Sequence, residues 1–379
     1  MRESGPIRVS ANHPLLSPLA IPAMSLITPF GITTQANWRQ MVGLQLQLRG
    51  STEVPLLREQ LEEQFPQSPG LRSLDRAVQL ALLAARSALR QTHVPRLTDD
   101  DGLFIATSKG PIQTLLKAGS TGLAMDQLTA EHIVMGPAAI GVFLRRYLGE
   151  PTICHTSVAA CAGALVAVHA ARRAILTGAC RRALVVAADS SIHPLFDASF
   201  ARLGILAPAD EQGRRTCEPF DPQGRGFFIS EAAAALILER SDAGNVFLQG
   251  TWVGGDGTDL LAIDPDARRL RQGLALLADC DHIDFVHAHA TGTRHDLYER
   301  QAIAMIRPDF VFSHKRFLGH SLGASGLVAL VLSILCHQNG TTLDWQPIGP
   351  SARSITIAQG FGGHIGLARL DSGEQTPMG

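Results

Sequence analysis

Three side chains suited to nucleophilic and proton-transfer chemistry lie far apart in the chain, each where a short apolar stretch gives way to small residues. Cys161 precedes residues in which apolar side chains recur at helical spacing, so we predict that it opens a helix. Unpaired N–H groups and the positive end of the helix dipole favour a thiolate there. His289 and His320 follow in turns rich in Gly, Thr and Ser. Taken alone, this Cys is more typical of a small buried hydrophobe, so its interpretation as a nucleophile depends on these histidines lying beside it.

The segments that would hold these residues follow an order that repeats. Predicted strands are residues 103–107, 151–156, 183–188 and 233–239, then 246–253, 285–288, 310–312, 354–358 and 364–370. The helix predicted after His320 repeats the pattern of the helix after Cys161, with small residues first and an apolar body behind them. We therefore predict an α/β protein of two related halves, residues 1–240 with the thiol and residues 241–379 with both histidines.

Composition restricts the classes of function. The 379 residues are 45% hydrophobic and carry a formal net charge of −1, which permits a large core and argues against a general nucleic-acid binder. The N-terminus lacks a basic-then-apolar leader, and no uninterrupted apolar run reaches about 18 residues, so we expect no membrane span. The six Cys form no CxxC pair, which favours a reducing, cytoplasmic location and a site without metal.

Around the three residues the chain resembles the β-ketoacyl synthases, the decarboxylating condensing enzymes of fatty-acid and polyketide synthesis. Residues 160–167 (ACAGALVA) resemble their nucleophile motif, and residues 289–293 (HATGT) resemble their HGTGT motif. Ser313, Lys315, Gly319 and His320 match an SxK-then-GH motif, while residues 219–231 and 360–363 (GFGG) are weaker matches. The motifs occur in the family's order over nearly the whole chain. The resemblance implies the thiolase-like fold, five αβαβα layers with two pseudo-symmetric halves and two central helices between the sheets.

The resemblance also implies a reaction and a role for each residue. Cys161 would take an acyl group from a thioester, and a malonyl thioester would then lose carbon dioxide and attack the acyl carbonyl. Neutral His289 and His320 would hydrogen-bond the developing enolate oxygen. Lys315 would orient the histidine region, with Asp296 and Glu299 in support, although one residue is missing before Asp296 relative to the family spacing. The backbone N–H groups of Cys161 and Phe361 would form the oxyanion hole, and the Phe361 side chain would gate the acyl pocket. Thr291 and Thr293 would hydrogen-bond the pantetheine arm.

No permanently bound cofactor is implied, because the phosphopantetheine arm of an acyl carrier protein brings the substrate. The departures from the family pattern are Ala290 for a Gly, Ser230 within a GEG-like stretch, and His364 for a Thr. The second half is also shorter than we expect for housekeeping members. We therefore predict a specialised pathway, with the chain as a homodimer or as a heterodimer with a ketosynthase-like partner.

Three alternatives stay open at this point. A non-condensing acyltransferase would share Cys161, and a chain-length partner subunit would share the fold without turnover. Residues 319–323 (GHSLG) also satisfy the GxSxG pattern of serine hydrolases, with Ser321 as nucleophile and Asp344 and His364 as later triad members. The hydrolase interpretation leaves Cys161 and Lys315 without a role, and only a short C-terminal segment follows Ser321.

Overall fold

Ten strands form a single hydrogen-bonded sheet in the computed structural model, which describes residues 17–55, 57–121, 136–261 and 263–373. The strands are β1 (Leu19–Ile27), β2 (Asp101–Ala106), β3 (Ile153–Ser157), β4 (Arg182–Asp189), β5 (Ala232–Glu239), β6 (Val246–Gly255), β7 (Phe285–His287), β8 (Phe310–Phe312), β9 (Arg353–Gly360) and β10 (His364–Ser372). Their order in the sheet is β3-β2-β4-β5-β1-β6-β10-β9-β7-β8.

This strand order contains the same unit twice. Read from one edge it runs β3-β2-β4-β5-β1, and read from the other edge it runs β8-β7-β9-β10-β6. The first three strands of each unit are parallel and the last two pair antiparallel in both units. The units join where β1 and β6 pair antiparallel at Leu19–Leu248 and Ala20–Phe247. The predicted pseudo-symmetric halves are confirmed, whereas a domain boundary at residue 240 stays a prediction.

The helices form the remaining layers. They are α1 (Thr34–Trp38), α2 (Leu57–Gln64), α3 (Arg76–Leu89), α4 (Ile112–Thr121), α5 (Ala139–Leu148), α6 (Gly163–Leu176), α7 (Pro194–Arg202), α8 (Arg268–Ala278), α9 (Asp296–Ile303), α10 (Lys315–Leu318) and α11 (Ser325–Asn339). Helices α6 and α11 pack against each other and against strands of both units, while α3 covers the first unit from outside and α8 covers the second. This is the predicted αβαβα arrangement.

The central helices are apolar because protein surrounds them. In α11 every residue from Ser325 to Cys336 is buried. Residues Leu322–Asn339 have a mean hydropathy of 1.4, enough by composition for a membrane span, and 83% of them are buried inside the fold. Packing between the two sheet units therefore accounts for this apolar surface.

Both central helices begin in the same way. Ala160, three residues before α6, has φ +46°, and Leu322, three residues before α11, has φ +44°. A left-handed backbone is unfavourable for residues with a Cβ, so tertiary contacts must hold both turns. These turns place Cys161 and His320 at neighbouring ends of two adjacent helices.

Candidate active site

Cys161 lies in the turn between β3 and α6, and its sulfur faces an imidazole from the other half of the chain. The Sγ atom is 3.1 Å from Nε2 of His320, although 159 positions separate the two residues. The end of β9 packs behind the thiol, since a Cβ built on Gly360 would lie 2.9 Å from the backbone N of Cys161. Lack of a side chain at Gly360 therefore keeps this N–H uncovered.

The local field opposes ionisation of the thiol. Burial raises the pKa of the Cys161 thiol to about 11, the charges of Lys109 and Lys315 oppose this rise, and Asp189 adds to it. Burial also holds the pKa of His320 well below its usual range. The pKa of the thiol is raised, whereas its place at a helix start predicts a lowered pKa, because desolvation outweighs the helix dipole. The resting pair is therefore a neutral thiol beside a neutral imidazole.

His289 completes the cluster. Its ring centroid is 5.4 Å from that of His320, and the two planes meet at 78°. Burial, followed by the charge of Lys315, holds the pKa of His289 well below its usual range. The rings of Phe227 and His320 pack in a T-shaped arrangement, with their centroids 4.9 Å apart. Two neutral imidazoles therefore lie in contact, and one of them contacts the thiol.

Two buried carboxylates hold the loop that carries His289. Glu299 accepts the backbone N–H groups of His289 and Ala290 at 2.7 and 2.8 Å. Asp296 accepts those of Thr291 and Gly292, both at 2.8 Å, and a further one from Phe220 at 2.9 Å. Both acids belong to the first turn of α9, so this helix orients the loop. The residue missing before Asp296 relative to the family spacing therefore does not prevent this contact.

The side chain of Lys315 contacts the same loop. Its ammonium group is buried and donates to the carbonyl of His289. Burial lowers the pKa of Lys315 and raises that of Glu299 to about 7, and their opposite charges counter both shifts. No hydrogen bond or ion pair joins these two described side chains, so Glu299 interacts with Lys315 through space. The lysine fixes the His289 backbone and keeps nearby imidazoles neutral.

A cavity of about 580 Å³ opens onto Cys161, His289 and His320. Its lining includes both apolar and polar residues. The apolar ones are Phe200, Ile205, Phe227, Leu261, Ile263 and Leu322, and the polar ones besides the two imidazoles are Thr291, Thr293, His295, Asp296, Glu299 and Gln359. An outer cavity of about 980 Å³ shares Ile205, Leu261, Thr293, His295 and Phe361 with the inner one. A substrate entering from solvent therefore passes Phe361 and Thr293 to reach the thiol.

The structure brings most of the predicted site residues to this cavity. Cys161, His289, His320, Thr291, Thr293, Asp296, Glu299 and Phe361 all line it. Lys315 lies outside the lining and acts through the His289 carbonyl. Phe361 is half-buried at the boundary between the inner and outer cavities, as a gate would be.

The departures from the family pattern fit the fold locally. Ala290 does not have positive φ, and glycine is required instead at Gly292, where φ is +70° and a Cβ would lie 2.7 Å from the carbonyl oxygen of Gly226. The backbone N–H of Ser230 donates to the His320 carbonyl at 3.1 Å, so this position supports the imidazole. His364 is exposed in the β9–β10 hairpin and does not line the cavity, so it is not a third imidazole of the site.

The serine-hydrolase alternative is not supported by the geometry. Ser321 is 2% exposed and lies outside the cavity lining. Asp344 pairs with Arg316 at 3.0 Å instead of orienting a histidine. Because His364 is also exposed on the hairpin, these three residues form no triad.

Sequence reasoning missed the apolar residues of the cavity lining and Gln359. Phe227 lies inside the residue 219–231 motif and Gln359 directly precedes GFGG, so motif position was the available signal. A surface group of His282, Asp284 and Asp309 has potential metal-ligating atoms within 4.8 Å of one another, but none of these residues lines the cavity. The chemistry of the cavity therefore depends on its thiol and imidazoles.

The chain is similar to known proteins of one family. Residues 55–243 match the family model of the beta-ketoacyl synthase N-terminal domain, and residues 260–344 match that of its C-terminal domain. A Streptomyces halstedii protein named polyketide beta-ketoacyl synthase 1 is 25% identical, over 91% of this chain and 96% of that protein. The 3-oxoacyl-[acyl-carrier-protein] synthase 2 of Mycobacterium tuberculosis is 32% identical over 56% of this chain and 54% of its own length. The solved ishigamide ketosynthase/chain length factor shares the fold, with a TM-score of 0.78 and 21% identity over 94% of this chain and 99% of that one. The chain belongs to the β-ketoacyl synthase family.

Proposed function

We propose that the protein condenses an acyl group held on Cys161 with malonyl-acyl carrier protein, with loss of carbon dioxide, in fatty-acid or polyketide-type biosynthesis. The observation that carries this proposal is the Cys161–His320 contact of 3.1 Å, with His289 against the same imidazole in one cavity. A thiol with two neutral imidazoles suits acyl transfer followed by carbon–carbon bond formation. Membership of the family supports the same reaction.

The first step transfers the acyl group. The sulfur of Cys161 forms a bond to the thioester carbonyl as its proton moves toward Nε2 of His320, the hydrogen-bonded base. Collapse of the tetrahedral intermediate breaks the bond to the carrier sulfur, which leaves with that proton. The N–H groups of Cys161 and Phe361 are the proposed donors to the oxyanion, since Gly360 leaves the former uncovered.

The second step uses both imidazoles as neutral donors. The malonyl carbon–carboxylate bond breaks, carbon dioxide leaves, and its electron pair passes into the thioester to form an enolate. The N–H of His289 and that of His320, in the tautomer with its hydrogen on Nε2, stabilise the enolate oxygen. The low pKa of each imidazole keeps it neutral, and a neutral imidazole is too weak an acid to protonate the enolate outright. The enolate carbon then attacks the acyl carbonyl, the carbon–sulfur bond to Cys161 breaks, and the thiolate takes up a proton from solvent, since the original thiol proton left with the carrier sulfur.

The partners follow from the substrate. An acyl carrier protein would present its phosphopantetheine arm through the outer cavity, with Thr291 and Thr293 along its path. We propose a cytoplasmic protein in a specialised pathway, paired with a second copy or with a ketosynthase-like partner. The name of the solved ketosynthase/chain length factor supports the second arrangement.

Intact-mass spectrometry after incubation with acyl-carrier proteins of different chain length tests the nucleophile. We expect one acyl adduct on Cys161, absent in Cys161→Ala and retained in Ser321→Ala. Release of carbon dioxide from malonyl-carrier protein by the acylated protein tests condensation. An adduct without carbon dioxide release would instead indicate a non-condensing acyltransferase, and no adduct at all would indicate a silent partner subunit.

Size-exclusion chromatography and co-purification with ketosynthase-like proteins test the assembly. A partner that co-purifies and raises turnover would support the heterodimer. A stable homodimer active on ordinary saturated acyl chains would contradict both the heterodimer and the specialised pathway.

A further inference from the structure

Two further imidazoles lie outside the inner cavity and bond each other within the core. His287 and His314 are both fully buried. Nε2 of His287 is 2.9 Å from Nδ1 of His314, and the backbone N–H of His314 also donates to this Nε2 at 3.2 Å. Neither residue lines the inner cavity, so the proposed reaction gives this pair no direct role.

The hydrogen bonds of the pair determine where its hydrogens lie. Because Nε2 of His287 accepts the His314 N–H, a neutral His287 carries its hydrogen on Nδ1 and donates to Oγ of Ser333 at 3.0 Å. His314 then donates from Nδ1 to His287, and its Nε2 accepts from Oγ of Ser325 at 3.4 Å. Burial, followed by the charge of Lys315, holds the pKa of both imidazoles well below the usual range. Every ring nitrogen of the neutral pair therefore has a partner, and a fully satisfied buried network favours one arrangement of its members.

The pair joins the two segments that lead to the site imidazoles His289 and His320. Strands β7 and β8 are three residues long, and their pairing ends with His287 opposite Phe312. His289 follows His287 after one residue, and His314 is the N-cap of α10, the short helix that leads to His320. Two such short strands give little backbone pairing, so side-chain contacts must help to hold the segments that follow. The bond between His287 and His314 is such a contact.

The same network anchors the pair to a central helix. Oγ of Ser333 donates to the carbonyl of Ala329 at 2.9 Å within α11, and it lies 3.1 Å from Oγ1 of Thr356 in β9. Ser325, at the other end of the network, is the first residue of α11. The two imidazoles are therefore referred to a buried helix rather than to the loops alone.

We propose that the His287–His314 pair sets the spacing between His289 and His320 for the decarboxylation step; this inference rests on the proposed function. Decarboxylation needs both site imidazoles at one enolate oxygen, whereas acylation of Cys161 uses His320 without His289. A misplacement of about 1 Å costs up to about 100-fold in rate, so a change in spacing slows decarboxylation far more than acylation. His287 and His314 are thus positioning residues.

The test compares two reactions of the same protein. One is acetyl transfer from acetyl-pantetheine to Cys161, and the other is release of carbon dioxide from malonyl-pantetheine by the acetylated protein. His314→Leu removes the donor to His287, so we expect kcat for carbon dioxide release to fall about 10- to 100-fold. Acetyl transfer and the KM for malonyl-pantetheine should stay within about threefold of the parent protein, because the pair does not line the cavity.

Three further variants separate positioning from a general loss of stability. His314→Asn places an amide donor near the former Nδ1 atom, so carbon dioxide release should recover to within about fivefold of the parent protein. His337→Leu is the matched control, because this imidazole of α11 also bonds two hydroxyls, those of Ser354 and Ser372, but lies outside the pair. It should lower stability in urea unfolding without changing the ratio of the two rates. If His314→Leu fails to fold, His314→Ala applies the same test, since a smaller side chain introduces no clash.

The outcomes separate this inference from the proposed function. A parent protein that performs both reactions, with unchanged carbon dioxide release in His314→Leu, overturns the role of the pair alone. Equal loss of both reactions in that variant, or the same selective loss in His337→Leu, also overturns it, because either pattern reflects stability. Failure of His314→Asn to recover would show that the hydrogen bond is not the cause, with the same consequence. A parent protein that releases no carbon dioxide overturns the proposed condensation and this inference with it.

Discussion

The Cys161 thiol should resist alkylation at neutral pH. With a pKa of about 11, about one thiol in ten thousand is ionised at pH 7, against roughly 3% of a free cysteine with a pKa near 8.5. A more basic thiolate is intrinsically about tenfold more nucleophilic at this difference in pKa. The net expectation is alkylation roughly 30-fold slower than that of a model thiol at pH 7.

Iodoacetamide labelling between pH 6.5 and 10.5, followed by peptide mapping, measures this rate. Cys154 and Cys280 are exposed, so replacing both with Ser removes the competing labels. We expect the logarithm of the Cys161 rate to climb without a plateau below about pH 10. Lys109→Met should slow labelling further, because the Lys109 charge lowers the thiol pKa. A plateau between pH 6 and 8 would refute the reasoning, since it would show that the helix start outweighs burial.

Three further changes test the framework around the thiol. Glu299→Ala leaves two buried N–H groups unpaired, so it should lower the free energy of unfolding by about 2–6 kcal/mol, measured with urea. Glu299→Gln should lower it less. An unchanged urea midpoint in Glu299→Ala would contradict this. Gly292→Ala adds a steric clash to backbone strain, so it should destabilise the protein more than Gly213→Ala. Gly213 has a similar φ of +75°, but a Cβ there would enter open space. Equal losses of stability in the two variants would argue against the clash. Gly360→Ala should lower the rate of Cys161 acylation by more than about 100-fold with a smaller effect on thermal stability, and full activity would contradict the proposed oxyanion position.

Periodicity and motif order were sufficient to predict the central architecture from the sequence. The helix predicted to open at Cys161 is observed as α6 (Gly163–Leu176), and all five predicted strands of the second half are present. These elements are buried and strongly patterned, so tertiary contacts and local preference agree. The motifs also indicated which distant residues would meet, and each of these residues follows a parallel strand of its own unit, β3, β7 or β8.

One strand was not predicted, and its sequence explains why. Residues Leu19–Ile27 form β1 in the middle of the sheet, yet they contain Pro22, which normally argues against a central strand. The structure accommodates this residue at an irregularity between Ala20 and Ala23, where the pairing with β5 shifts register. Such a bulge depends on both neighbouring strands, so the local sequence does not reveal it.

Properties that depend on surroundings were also beyond the sequence. Desolvation raises the pKa of Cys161, while the charges of Lys109 and Lys315, from separate parts of the chain, lower it. The balance of these effects decides the direction of the shift. The missing hydrogen-bond partner of the Gln359 Oε1 atom is visible only once every neighbouring group has a position. Both are outcomes of packing between the two halves, which no local pattern encodes.

The two pseudo-equivalent helix starts differ in two side chains, and this difference explains why the duplication has one catalytic cavity. Cys161 and Gly323 occupy matching positions, each two residues before its central helix. At the second of these positions Asp189, the last residue of β4, accepts the N–H of Gly323 at 3.2 Å. At the first, the matching last residue of β9 is Gly360, which leaves the N–H of Cys161 uncovered. A carboxylate at the end of β9 would occupy the proposed oxyanion position and repel that charge, which is consistent with the proposed nucleophile lying in the first half and the proposed imidazoles in the second.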